Sequence, residues 1–471
     1  MHSMQQLPEG SSRVVDLAII GSGPGGYEAA LRAAKAGMKV TLIEKGALGG
    51  VCVNWGCIPT KALLRSAEVF DLFKKAGSYG LNVQASTIDL AEAVKRSRNV
   101  VLKLSKGIGF MLRRAEVEVI QGEAIFTGAH TLDIYREGKR VETLHANRII
   151  IAAGARSRKL PGLEPDGKCI VTSREALAMK SVPSSMIVLG GGAIGVEMAW
   201  FYAMAGTAVT LVEMMPRLLP LEDEEISEAL KRSFQKAGIT VVTQAKLAGV
   251  TVSGNRVSGF LSVGTEEPQT VSADYLLVAV GVSGNGDELG LEHAGVETSG
   301  GFVLTDKACR TSVNHIFAVG DVRGGMLLAH KASAEAAIAV DTLAGKVPHQ
   351  LDESMIPRCV YAEPSVASVG LSEQQAIEQG YKVTVGRSMF AASGKANAYG
   401  NLEGLVKLVF NAGDGRLLGA HAVGHGAVEL IGELTLARRL EVTAELLAGT
   451  VHAHPTLSET IKEAAENALQ S

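Results

Sequence analysis

Residues 49–62 read GGVCVNWGCIPTKA and place Cys52 and Cys57 with four residues between them, in a chain that has only five cysteines. Three chemistries compete for such a pair. Zinc needs further Cys or His at ligand spacing, and none is nearby. Two inert cysteines in a core need no partner at all. A redox-active disulfide needs a particular geometry. In a regular helix, residues i and i+5 are separated by about 7.5 Å of rise, too far for a bridge. A bridge therefore requires a distorted turn, and Gly56 and Pro59 are the residues expected to supply it. Helix should resume through Lys61 and Ala62 into LLRSAEVFDLFKKAG, and a helix N-terminus nearby would stabilise a thiolate.

A second candidate lies near the C-terminus, in VHAHPTLSET, where His454 precedes Pro455 and Glu459 follows five residues later. A lone histidine is usually structural. Thiol chemistry, however, asks for a base, because an unperturbed thiol has a pKa above about 8. An imidazole oriented by a carboxylate suits that work. His452 is the rival at the level of sequence, and Pro455 makes a cis peptide available.

Two elements are available to position such chemistry. VVDLAIIGSGPGGYEAALRAAKAGMKVTLIEK begins with an apolar strand, Val14 to Ile20, followed by Gly21, Gly23 and Gly26, a helix pattern, and a second strand, Val40 to Ile43, ending at Glu44. Gly21 permits a tight turn, Gly23 lets backbone approach a pyrophosphate, and Gly26 lets helix and strand pack closely. The helix N-terminus offers N–H groups and positive dipole to phosphate, and Glu44 would accept hydrogen bonds from a ribose. SMIVLGGGAIGVEMAWFYAMAGTAVTLVEM repeats the unit, with Gly190, Gly192, Gly195 and Glu213. From first glycine to acid the step is the same 23 residues in both copies (44 − 21 and 213 − 190). One glycine triplet is weak, but two, each after a strand and before a helix with the acid in place, are specific. Two dinucleotide sites imply electron transfer between two cofactors. Glu213 would repel a 2′-phosphate and favours NAD over NADP, although Arg217 lies close behind it.

The bulk properties agree. The chain has 471 residues, enough for about three domains. Its 54 glycines and 4% aromatic content suit the tight turns of α/β nucleotide-binding folds. A net charge of −3 argues for neither nucleic acid nor an anionic membrane surface. Residues 186–212 are apolar enough to resemble a membrane span, but Glu197 and the glycines divide them into strand, turn, helix and strand. MHSMQQLPEGSS shows no apolar signal region or basic amphipathic pattern, and five cysteines are too few for a secreted disulfide framework. A cytoplasmic protein is the expectation.

GGVCVNWGCIPTKALL resembles the active-site signature of the pyridine nucleotide–disulfide oxidoreductases, and among them the dihydrolipoamide dehydrogenase branch. The likeness runs from about Val14 to near the C-terminus. It implies FAD on the first glycine unit, NAD on the second, and a redox disulfide between Cys52 and Cys57. Cys52 would be the interchange thiol and Cys57 the thiol against the flavin. Lys61 and Glu197 match a lysine and glutamate near the flavin and nicotinamide. Asp321, in CRTSVNHIFAVGDVRGG, matches an aspartate that binds the flavin's ribityl and pyrophosphate region, although a strand-ending Gly-Asp is also a common turn. The helix starting near Ala329 and His330 would aim its positive end at the flavin. His454 and Glu459 would form the acid–base dyad of the opposite subunit.

The resemblance also implies an architecture: α/β, with two Rossmann-like dinucleotide-binding domains, the NAD domain inserted in the FAD domain, and a C-terminal α+β dimerisation domain. The expected boundaries are 12–153 for the first FAD part, 154–280 for the NAD domain, 281–350 for the second FAD part and 351–471 for the interface. Gly154 and Gly281 lie in the loops at the domain exits. Val282 departs from the family, where Arg often follows the glycine. SMFAASGKANAYGNLEGLVKLVFNAGDGRLLGAHAVG reads as strands with hairpin turns. The implied function is oxidation of dihydrolipoamide by NAD+, with FAD, NAD and no metal. The implied partners are a second copy of the chain and a lipoyl-bearing carrier subunit of a 2-oxoacid dehydrogenase or glycine cleavage system. Glutathione reductase, mercuric reductase, a transhydrogenase and a flavin-carrying assembly subunit are the alternatives. Glu213 opposes the first. The absence of cysteines after Cys359 opposes the second. The Cys pair opposes the third, and the pair together with His454–Glu459 opposes the fourth.

Overall fold

The computed structural model describes residues 11–84 and 87–470. The first ten residues, read above for targeting signals, lie outside them. The chain divides into two compact units. One gathers residues through Pro59, Lys95–Arg158 and Val282–Leu351; the other gathers Thr60–Val94, Lys159–Gly281 and the chain from Asp352 onward.

In the first unit, the strand Ser11–Ile20 lies between Val40–Glu44 and Lys139–Ile151, parallel to both, with Glu118–Gln121 beyond Val40–Glu44. Ile316–Ala318 also pairs parallel to Lys139–Ile151. An antiparallel meander, Thr131–Arg136 and Glu123–Gly128, extends the other side. Every residue of Val40–Glu44 is buried. A parallel sheet covered on both faces requires this, and successive side chains serve opposite cores. Leu17, Ile19, Leu42 and Ile150 face one core, while Ala18, Ile20, Ile43, Ile149 and Ile151 face the other. Pro24–Lys35 starts with Pro at its first position, where the missing N–H costs nothing. It packs on Ala329–Leu343 through Ala29, Ala30 and Ala33 against Ala336 and Ala339, small residues that let the two helices approach closely.

The second unit holds a five-stranded parallel sheet in the order Thr240–Val242, Ala208–Val212, Ser185–Leu189, Tyr275–Val278, Ile170–Val171. The apolar run 186–212 is strand Ser185–Leu189, a glycine turn, helix Ala193–Ala205 and strand Ala208–Val212. Among the described residues, no helix is long and apolar enough to cross a membrane. The helix is apolar because it is buried on nearly all sides, with Trp200, Phe201 and Tyr202 in the core.

The same unit also holds a five-stranded antiparallel sheet, in the order Arg358–Val360, Ser365–Gly370, Leu417–Gly424, Gly404–Asn411, Val383–Met389. The helices Ala427–Arg439 and Glu459–Ala468 share its core. The hairpin expectation needs one correction. Between Val383–Met389 and Gly404–Asn411 the chain forms a 3-10 turn, Phe390–Ala392, and a short helix, Gly394–Tyr399. Ser393 is the cause: its side chain accepts from Ala396 N and caps the helix. The whole is α/β, with two Rossmann-like sheets and a C-terminal α+β part.

Candidate active site

The two glycine loops are superimposable in their chemistry. Gly21 has φ +96°, and a Cβ there would lie 2.5 Å from Ala152 O; Gly190 has φ +110°, and its Cβ would lie 2.3 Å from Ala279 O. Gly26 and Gly195 sit so close to the carbonyls of Gly21 and Gly190 that a Cβ would meet them at 1.9 and 1.8 Å. Gly23 and Gly192, by contrast, are the N-caps of the two helices, with open space where a Cβ would stand. Glycine is itself a favoured N-cap residue, and the open space beside it leaves room for another group, such as phosphate at a helix N-terminus.

The paired acids are bonded into their own loops. Glu44 Oε2 accepts from Ser22 N at 2.8 Å and Ser22 Oγ at 2.6 Å, and its Oε1 accepts from Gly46 N at 2.6 Å. Glu213 Oε2 accepts from Gly191 N at 2.5 Å and its Oε1 from Met215 N at 2.7 Å. In both copies the acid binds the residue after the first glycine and the residue two past itself. Each carboxylate thus shapes its loop.

Cys52 lies in the helix Gly50–Trp55, and Cys57 opens the helix Cys57–Lys74. Gly56 joins them at φ −134° and ψ −114°, outside helical values. A Cβ on Gly56 would stand 3.1 Å from Val51 O and 3.4 Å from Cys52 Cα, so this break folds tightly back onto the first helix. Pro59 is corrected: it lies within the first turn of the second helix, where proline is tolerated, so Gly56 alone carries the distortion. Gly49 N donates to Ser22 O at 3.1 Å and to Ser22 Oγ at 3.1 Å, which hangs the cysteine helix directly on the first glycine loop.

Two residues of this region escaped the sequence reading. Asn54 Nδ2 donates to Gly50 O at 2.9 Å, and Ala47 O and Leu48 O also lie within reach, so its side chain stitches the entry loop to the helix. Arg98 Nη1 donates to Asn54 O at 2.7 Å, and its guanidinium lies 4.6 Å over the Trp55 ring. Burial holds Arg98 below the usual arginine range. Asn54 sits inside the cysteine motif and could have been suspected. Arg98 lies 44 residues away in sequence with no motif of its own.

Lys61, one turn beyond Cys57, is bidentate with Glu197. Its Nζ lies 2.9 Å from Oε1 and 2.8 Å from Oε2, and 4.3 Å from the centre of the Tyr361 ring. Glu197 is buried and also accepts from Tyr361 N at 3.0 Å.

At the C-terminal motif, His454 Nδ1 is 2.9 Å from Glu459 Oε1, and Glu459 Oε2 accepts from Thr456 N at 2.8 Å. The Thr456 amide and the imidazole together hold Glu459 below the usual carboxylate range. A carboxylate only accepts, so Nδ1 carries the proton and Nε2 the lone pair of a base. The His454 side chain is 78% exposed. The rival His452 is engaged at both nitrogens, by Glu433 Oε1 at 2.8 Å and Thr450 O at 3.1 Å, and its side chain is buried. The His454–Pro455 peptide is cis.

Residues 15–336 match the family model described as pyridine nucleotide-disulphide oxidoreductase. The chain belongs to this family. Residues 356–465 match the dimerisation domain of the same oxidoreductases. Curated relatives named dihydrolipoyl dehydrogenase are 65% identical in Chlorobaculum parvum, over 99% of both chains, and 44% identical in Rhizobium etli, over 95% of this chain and 97% of that one. Among solved structures, LpdA from Mycobacterium tuberculosis is 28% identical with a TM-score of 0.89, and the flavoprotein disulfide reductase RclA from Escherichia coli is 28% identical with a TM-score of 0.85. Each covers 96% of this chain and 99% of its own.

A flavin and a pyridine nucleotide are the cofactors these names carry, and the residues of this oxidoreductase fit both. Beyond the two open helix N-termini, Asp321 is half-buried and receives no side-chain hydrogen bond among the described residues. Burial pushes its carboxyl upward in pKa. Such a carboxylate lacks donors, and the hydroxyls of a ribityl chain would supply them. Its turn, Gly320–Arg323, is fixed from behind by a network that the sequence reading missed. Glu335 accepts from Gly320 N at 2.7 Å and from Arg323, and Lys331 lies 2.6 Å from Glu335 Oε1. Lys331 and Glu335, an i,i+4 pair, are both buried. Helix Ala329–Leu343 starts at Ala329, as expected. Gly154 and Gly281 have φ +69° and +98° with open space at Cβ. Val282, at the position that is often Arg, pairs with Ser157 in a short antiparallel ribbon, so it serves backbone pairing there. Among the described residues no cluster of ligating side chains could hold a metal.

Proposed function

We propose that this protein is a flavoprotein disulfide oxidoreductase that oxidises dihydrolipoamide to lipoamide with NAD+ as acceptor. The observation that carries the reading is the placement of Cys52 and Cys57 on two helices separated only by the Gly56 break. The 65% identity to dihydrolipoyl dehydrogenase over nearly the whole chain supports the choice of substrate. The dithiol is carried on a lipoyl-bearing subunit of a 2-oxoacid dehydrogenase or glycine cleavage system. The enzyme is a cytoplasmic homodimer, in which His454 and Glu459 serve the dithiol site of the opposite subunit.

FAD, when bound, would supply the acceptor for the electron pair that leaves the dithiol, and NAD+ would supply the final hydride acceptor. The chain's own residues hold these groups and run the sulfur and proton chemistry. Gly21, Gly23, Gly26, Glu44, Asp321 and the Ala329 helix end hold FAD, with Gly154 at the domain exit. Gly190, Gly192, Gly195 and Glu213 hold NAD, with Gly281 at the return. By the family resemblance, Lys61 and Glu197 would act near the flavin and nicotinamide. The domain boundaries follow as 12–153, 154–280, 281–350 and 351–471.

His454 Nε2 takes the proton of one substrate thiol. The thiolate attacks Cys52 Sγ, the Cys52–Cys57 bond breaks, and Cys57 leaves as thiolate. The second substrate thiol then attacks the substrate sulfur of the mixed disulfide. Oxidised lipoamide departs, Cys52 sulfur takes up the proton that His454 held, and the freed Nε2 takes the proton of the second thiol. Glu459 keeps Nδ1 protonated throughout, so Nε2 alternates between base and acid. Steady-state rates with dihydrolipoamide and NAD+, measured beside glutathione disulfide and NADPH, test the proposal. A faster second reaction defeats it.

A further inference from the structure

Five residues of the antiparallel sheet stand in one row across all five strands. Arg358 is opposite Ser368, Ser368 opposite His421, His421 opposite Lys407, and Lys407 opposite Arg387. Residues in register share a face of the sheet. At one end the charges are matched. Lys407 reaches Asp223 at 2.9 Å, Glu373 at 2.8 Å and Glu225 at 3.2 Å, while Arg387 reaches Glu225 and Glu373.

The other end is incomplete. Arg358 Nε donates to Glu222 Oε1 at 2.9 Å, yet Arg358 Nη2, Glu222 Oε2, Ser368 Oγ and His421 Nδ1 are sealed from solvent with no hydrogen-bond partner among the described residues. Ser368, His421 and Glu222 are each more than nine-tenths buried. Buried polar atoms are rarely left so, because each loses its bonds to water without replacement.

The four atoms specify their occupant. His421 Nε2 is 3.0 Å from Leu371 O, which only accepts, so Nε2 carries the proton and Nδ1 a lone pair. Glu222 Oε2 also accepts. Arg358 Nη2 donates, and the Ser368 hydroxyl does either. An anion would face the Glu222 carboxylate and the His421 lone pair; a cation would face the Arg358 guanidinium. Two acceptors and two donors match the two protons and two lone pairs of water. We infer that Arg358, Ser368, His421 and Glu222 hold a buried structural water that fastens Glu222 to the antiparallel sheet and so positions the second glycine loop.

The path to that loop is short. Glu222 N donates to Leu219 O at 2.8 Å, and Leu219 N donates to Gly191 O at 2.9 Å. Asp223, next in the chain, caps the helix Glu224–Lys236 and is itself gripped by Lys407. The four residues are therefore positioning residues for the nucleotide loop, a step that rests on the proposed reading of that loop as the NAD site.

A crystal structure of the holoenzyme at a resolution that shows ordered solvent tests the water directly. A peak within about 2.6–3.2 Å of at least three of the four atoms is expected. Direct bonds among the four side chains, with no peak, would overturn the inference. Ser368→Ala tests the coupling. The KM for NAD+ should rise about three- to tenfold, the range one or two lost hydrogen bonds produce, while the dithiol half-reaction keeps its rate within about twofold. An unchanged KM removes the positioning role. The solvent peak does not depend on which dithiol is the substrate, so failure of the dihydrolipoamide assay leaves that arm standing.

Discussion

Lys61 Nζ lies within 2.9 Å of both carboxylate oxygens of Glu197, across 136 residues of chain. The two partners are not equally sheltered: the Lys61 side chain is 32% exposed and that of Glu197 only 6%. Removing the lysine strands a buried carboxylate, whereas neutralising the glutamate leaves a lysine that still reaches water.

Lys61→Met should therefore cost about 3 kcal/mol of stability and Glu197→Gln about 1 kcal/mol, with the double variant less stable than the second but more stable than the first. Urea unfolding of the four proteins measures the cycle. Equal single losses that simply add would show the pair to be energetically uncoupled.

Cys57→Ser should abolish dihydrolipoamide oxidation, by about a thousandfold or more, while the protein still purifies yellow with FAD. Loss of the flavin in this variant would place Cys57 in cofactor binding rather than in sulfur chemistry.

His454→Gln should slow the dithiol half-reaction by about 10² to 10⁴, the range of general acid–base catalysis, and leave flavin-to-NAD+ transfer nearly untouched. Rapid-mixing measurements of the two halves separate them. His452→Gln, at a buried imidazole already bonded to Glu433, should lower stability more than rate. The reverse pattern would exchange the two roles.

Glu213→Ala should weaken NAD+ binding about tenfold and relax rejection of NADP+. It should also cost about 1–3 kcal/mol, because Gly191 N and Met215 N lose their acceptor. Unchanged nucleotide preference would leave Glu213 with the loop alone.

Burial holds His421 below its ordinary value of 6.5, so the folded protein refuses a proton that the unfolded chain accepts. Its contribution is level above about pH 6.5 and becomes destabilising as pH falls from there toward the folded pKa. The groups facing it are Glu222, Asp223, Arg358 and Lys407. The melting temperature should fall between pH 6.5 and 5.5, and His421→Leu should flatten that slope whatever its effect on absolute stability. Parallel slopes would locate the acid sensitivity elsewhere.

Much of this protein was written locally. The glycine triplets, their acids and the cysteine pair depend on neighbours within a few tens of residues, because a tight turn, an open helix end and a helix break are set by backbone sterics. The same holds for His454 and Glu459, five residues apart. Other features existed only once distant strands had paired. Register brings Arg358, Ser368, His421 and Lys407 into one row from four strands, and no periodicity within any one of them marks it. Burial, a property of the packed whole, makes Lys331 and Glu335 the support of the Asp321 turn, and no motif in the sequence marked them. It also separated His452 from His454, whose residue types and near neighbours are almost the same. Short-range sterics can be read along a chain; desolvation and long-range pairing require the chain to be folded.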